Sequence, residues 1–190
     1  MGFLDALLGR TKPVAPKLDA LFALPSAAIT LQAAADFVPT GTGSVCFNSA
    51  EGKALSDIEK DLRDLLNMGE GKTPVQLTTD SYGKTWLVSK HPVDDVEGLV
   101  TDLHAVNSSL ADGGFGPQLL CTLLSFSDPR GRRLGLVYLY KRGTFYPFAP
   151  QGGQRRDNSL ELQVRGCLTD DLKIEPDLGR WFALWDAPGL

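Results

Sequence analysis

Chemistry needs particular side chains at particular spacings, and the 190-residue chain offers few such sets. The stretch HPVDDVE gathers His91, Asp94, Asp95 and Glu97 within seven residues, a conceivable divalent-metal set. The same residues also read as a helix start, with Asp94 and Glu97 forming a capping box and His91 closing a strand before Pro92. Asp102 and His104 have the composition of an acid–base dyad. On a helix, residues two apart point about 200° away from each other, so the pair cannot share a proton. They are left as polar flanks of an amphipathic helix. Ser108 and Ser109 lack the strand–turn–helix elbow of an activated serine, and no third histidine could serve them. The glycine-rich GTGS and GGFG each precede a strand, whereas a phosphate cradle needs strand, loop and helix in that order. Both read as turns. Cys46, Cys121 and Cys167 are odd in number, form no CxxC pair and sit among apolar residues, which suits buried free thiols in a reducing compartment. With two histidines and no closed ligand set, no metal, cofactor or catalytic residue is expected, and the chain is expected not to be an enzyme.

Binding offers more. The run LGLVYLYKRGTFYPFAP (134–150) passes from an apolar strand, through a basic turn, into aromatics and prolines. Nearly every residue from Leu134 to Tyr140 is apolar or Tyr, so this strand is covered on both faces or central. Lys141, Arg142 and Gly143 form a turn in which Gly143 takes positive φ. Phe145, Tyr146 and Phe148 return as a short strand that Pro147 marks as a sheet edge. Structure accounts for most of this, yet aromatics on an edge beside Lys141 and Arg142 also suit a docking surface. A ligand pocket near Tyr140, Arg142 and Tyr146 is the remaining alternative. Arg130, Arg132 and Arg133 crowd another hairpin tip and read as a solvated edge, with an acidic partner as the other possibility. Asn107 falls about 50° from the centre of an apolar helical stripe, so its amide is half-buried and needs a partner, expected from the GGFG loop.

The elements that position these residues follow from periodicity. MGFLDALLGR sets Phe3, Leu4, Leu7 and Leu8 on one side of an amphipathic helix, and the prolines of TKPVAPK make residues 11–17 a stiff linker. Residues 18–190 are read as a single domain. Two helical pieces divide at Leu24–Pro25, and SVCF (44–47) is a short strand after a glycine-rich turn. A helix is expected over residues 51–66, with Leu55, Ile58, Leu62, Leu65 and Leu66 on one stripe. A hairpin turning at residues 80–83 comes next. Then follows a helix whose inner face is Val96, Leu99, Val100, Leu103, Val106 and Leu110. A second hairpin turns at SDPRG, and Asn158 with Glu161 cap a last helix striped by Leu160, Val164, Cys167 and Leu168. The aromatic tail DLGRWFALWDAPGL is expected to pack back on the body. Hairpins in place of single crossovers imply an α+β fold, a largely antiparallel sheet packed by helices.

Composition bounds the function. The chain is 43% hydrophobic and 22% charged with a net charge of −4, and its isoelectric point is about 5.2. Phosphate backbones call for a basic surface, so a nucleic-acid partner is not expected. No apolar run is expected to reach the ~18 residues of a membrane span, and the first ten residues lack the basic leader of a secretory signal. Ala6 stands where N-myristoylation takes Ser or Thr. A cytoplasmic protein is expected, with residues 1–10 either making peripheral membrane or partner contact or folding onto their own domain.

Several blocks together resemble the PspA-associated protein PspAB of phage-shock systems: MGFLDALLGRTKP, LDALFALPSAAITLQAA, DSYGKTWLV, LVTDLHAVNSSLADGGFGPQLLC, LVYLYKRGTFYPFAP and DLGRWFALW. The resemblance runs almost end to end. It implies a non-enzymatic accessory of an envelope-stress response whose central partner is PspA, a coiled-coil protein of damaged membranes. It also implies a link to a membrane protease of the HtpX type. The family brings no catalytic residues to carry over. Phe3, Leu4, Leu7 and Leu8, with Lys141, Arg142, Phe145, Tyr146 and Phe148, lie in its conspicuous blocks and are the expected contact residues. LHAVNSSLADGGFG followed by a hairpin is also similar to YbjN and the type III secretion chaperones. That likeness implies a chaperone-like module for a secreted or membrane protein.

Overall fold

A computed structural model describes residues 17–48, 60 and 75–190. The segment 1–10 with Phe3, Leu4, Leu7 and Leu8, and the helix expected over 51–66 apart from Lys60, lie outside the described residues. A 3-10 turn (Leu18–Ala23) leads into helix α1 (Leu24–Ala35), with Pro25 in the first turn, where a missing N–H costs nothing. Strands β1 (Val38–Asn48), β2 (Gln76–Thr79) and β3 (Lys84–Lys90) follow, then helix α2 (Val96–Leu110). Strands β4 (Leu119–Ser127), β5 (Arg133–Leu139) and β6 (Thr144–Phe148), a small β7–β8 ribbon (Pro150–Gln151, Arg155–Arg156) and helix α3 (Asn158–Cys167) complete the order. The six main strands pair antiparallel in the order β2-β3-β1-β4-β5-β6, the expected α+β architecture.

The period-2 alternation of the strands divides the core into two. On one face Val45, Phe47, Leu87, Leu124, Phe126, Leu136, Tyr138 and Phe145 meet Leu99, Val100, Leu103 and Val106 of α2 and Leu21, Leu24 and Leu31 of the N-terminal helices. On the other, Cys46, Trp86, Cys121, Leu123, Val137, Leu139, Tyr146 and Phe148 lie beneath the C-terminal tail, through Trp181, Leu184, Trp185 and Ala187. Strand β5 is thus covered on both faces, as its sequence requires. The run Leu18–Ala35, with mean hydropathy 1.4, is long and apolar enough to cross a membrane by length and composition, a property the sequence reading missed. In the fold its Leu21, Leu24, Ala27, Ala28 and Leu31 are spent on the core.

Three local expectations are corrected. The GTG stretch is not a turn before a short strand but part of the eleven-residue β1, where the β4 register shifts between Pro39 and Gly43. Gly41, at φ +74°, sits so close to His91 that a Cβ would lie 2.2 Å from its carbonyl oxygen. Helix α2 is capped by Asp95, whose carboxylate accepts from the Gly98 N–H at 3.0 Å, and not by Asp94. Helix α3 is capped in the same way by Asp157, and not by Asn158.

Candidate binding site beneath the C-terminal tail

Antiparallel pairing brings the start of β3, the end of β1, the start of β4 and the end of β5 to one end of the sheet. The turns at 80–83 and 140–143 gather there, and the tail crosses the face below them. Between sheet and tail lies a cavity of about 590 Å³. Cys46, Trp86, Leu119, Leu120, Cys121, Leu139 and Tyr146 line it from the sheet, and Phe182, Ala183, Leu184 and Trp185 from the tail. Its lining is chiefly apolar but includes Lys84, Lys141, Arg142 and Arg180 against a single carboxylate, Asp80. Asp80 is committed to the wall: it accepts from Trp86 Nε1, Tyr82 N and Lys84 N, each at 2.9 Å. Burial opposes its charge, but these bonds and the nearby Lys84 ammonium hold its carboxyl below the usual range.

The tail is fastened by polar contacts centred on buried Glu175. Glu175 is fully buried and accepts from Arg142 Nε at 3.0 Å, Arg142 Nη2 at 3.3 Å, Thr144 Oγ1 at 2.7 Å and Asp177 N at 3.2 Å. Burial disfavours the charge, yet these donors prevail and bring its carboxyl down to about 2. Glu175 N and Phe145 N exchange backbone bonds across β6, donating to Phe145 O and Lys173 O, so the tail pairs with the sheet edge. Tyr146 Oη donates to Phe182 O at 2.9 Å, and Trp181 Nε1 donates to Glu175 O at 3.0 Å. Arg156, whose guanidinium lies over the Phe148 ring, donates to Glu161 and to the Trp181 carbonyl. Ser81 Oγ, in the first turn, donates to Asp186 at 2.6 Å.

The expected contact residues therefore separate. Phe145, Tyr146 and Phe148 sit on the edge strand as Pro147 implied, but all three are at most 1% exposed. Arg142 is half-exposed and tied to Glu175. Lys141 is exposed and has no hydrogen-bond or ion-pair partner among the described residues. Tyr140 belongs to the helix-side core, so the expected Tyr140–Arg142–Tyr146 pocket keeps Arg142 and Tyr146 and loses Tyr140. The aromatics standing open beside the cations are Phe182, 58% exposed, and Tyr82, 53% exposed. Sequence reading passed over both. The signal was present in RWFALW, where Trp181 turns inward and its neighbour outward.

A second constellation escaped sequence reading. His91 Nδ1 lies 2.7 Å from Asp95 and Nε2 lies 2.7 Å from Asp102, two carboxylates contributed by α2. Ser89 Oγ donates to Asp102 at 3.5 Å. With both ring nitrogens protonated, each donates to one of these carboxylates. Burial would lower the His91 pKa, but the bonds to Asp95 and Asp102 prevail and raise it. In that form the group clamps the end of β3 to the start of α2. Asp102 is buried here, which corrects its reading as a polar flank, and His104 turns instead to Asp19 at 3.3 Å. Asn107, fully buried, donates to Leu103 O and Thr122 Oγ1, each at 2.8 Å, and not to the GGFG loop. The thiols of Cys46 and Cys121 face each other across β1 and β4, and that neighbour together with burial pushes Cys121 up.

No curated protein and no solved structure matches the chain, so the likeness to YbjN and the secretion chaperones is not confirmed. A family model does match, PspA associated protein B, over residues 1–189. With all but the last residue covered, the chain belongs to the PspAB family, PspA-associated protein B.

Proposed function

We propose that this protein is a non-enzymatic accessory of a phage-shock-type membrane stress response that acts through protein–protein contacts with PspA. Membership of a family described by association with PspA carries the reading. The cation-rimmed corner at Lys141, with Phe182 and Tyr82 open beside it, supports it as a contact surface, because exposed aromatics next to cations are favoured anchors. Segment 1–10, with Phe3, Leu4, Leu7 and Leu8, is the second proposed contact, with PspA or a lipid boundary. A cytoplasmic location, a coiled-coil form of PspA and a link to an HtpX-type membrane protease belong to the same proposal.

Purified PspA titrated against the full chain, the chain lacking residues 1–10, and Lys141→Glu tests this reading. Saturable binding weakened by both changes is expected; binding absent from the full chain, or indifferent to both changes, overturns it. Lys141 is the better probe of the corner than Arg142, since Arg142→Glu would set a second carboxylate against buried Glu175. The cavity favours a second reading, a site for a small ligand.

A further inference from the structure

We propose that the cavity between sheet and tail holds a single-chain anionic amphiphile, its acyl chain inside and its carboxylate or phosphate head at Lys141. At about 590 Å³ the space falls within the roughly 300–1,000 Å³ of small-ligand sites. It is roofed by residues 180–185 and floored by the sheet, so it admits a slender guest and not a folded partner. The interior offers Leu120, Leu139 and Leu184 with Trp86 and Trp185, a lining for methylenes.

Charge settles the head group. Four cations stand in the lining of a protein whose net charge is −4, a local reversal of the whole. Arg142 and Arg180 are paired with Glu175 and Asp177, and Asp80 is consumed by its own donors. Lys84 Nζ donates to the Asn48 amide and its charge is set against Asp80, while Lys141 has no hydrogen-bond or ion-pair partner among the described residues. The uncompensated charge at the mouth is therefore positive, and an anion is the complement.

Two of the three tryptophans line the cavity, so occupancy reports itself in their emission. The purified full chain, without PspA, is titrated with dodecanoate and with dodecyl phosphate below their micellar concentrations, followed by tryptophan emission and calorimetry. Because PspA is not in the cell, failure here leaves the PspA reading standing. We expect one saturable site for at least one of the two anions, and the arm that binds identifies the head. From octyl to dodecyl, affinity should rise about three- to four-fold per methylene. Lys141→Glu should weaken binding about five-fold. Ala183→Phe, at an exposed position in the lining, should abolish it, with the melting temperature of both variants unchanged. Saturation by neither anion, equal binding of dodecyltrimethylammonium, a flat chain-length series, or binding untouched by Ala183→Phe would overturn the proposal.

Discussion

His91 couples stability to pH near neutrality. Its two carboxylate partners, Asp95 and Asp102, raise its pKa above the ordinary 6.5, so the folded state holds a proton that the unfolded chain releases sooner. The contribution is therefore complete below about pH 6.5 and is lost as pH rises through the higher folded value. His91→Gln should cost about 2 kcal/mol at pH 5.5–6.5, the range for a bond to a charged group, and less at alkaline pH. Thermal unfolding across pH checks this, and a gap that widens with pH would contradict it. Glu175 behaves oppositely. Its carboxyl is depressed from 4.5 to about 2, so its contribution is present above pH 4.5 and lost as pH falls towards 2. Glu175→Gln should flatten acid unfolding in that window. Among the thiols, partly exposed Cys167 should react fast with an aromatic disulfide reagent, while buried Cys46 and Cys121 wait for unfolding.

At the scale of elements, the tail is the part that turns a sheet with one bare face into a two-sided core. Trp181 is its anchor, 5% exposed, stacked on Tyr146 at 6.0 Å and bonded to the Glu175 carbonyl. Trp181→Ala should cost about 3–5 kcal/mol in urea unfolding, the range for deleting a buried aromatic. Helix content should hold, because α1, α2 and α3 lie on the opposite face. Hairpins, the α2 stripe and the turn at Gly143, which adopts φ +64°, were legible because hydrophobic period and turn chemistry are local signals. The helix caps were misplaced by one residue, since DD and DN each present adjacent capping side chains and only backbone geometry chooses between them. β1 was read too short because its glycines signal a turn, whereas Gly41 serves a bulge against His91.

At the scale of the whole molecule, long-range packing decided what sequence could not. His91 and Asp102 meet because β3 runs beside α2, a pairing that eleven residues of separation conceal. Phe145, Tyr146 and Phe148 looked available on an edge strand, but residues 173–175 pair along that edge and the tail covers it. The corner at Lys141 was legible as a basic turn; the aromatics that accompany it come from 41 residues downstream, at Phe182, and 59 upstream, at Tyr82.

The proposed contact of this chain with PspA is through the Lys141 corner and segment 1–10. Hydrogen exchange of the full chain with and without purified PspA measures this directly. Protection is expected in residues 1–10 and around 139–145, with 180–185 following. Unchanged exchange at both places in the presence of saturating PspA would contradict it.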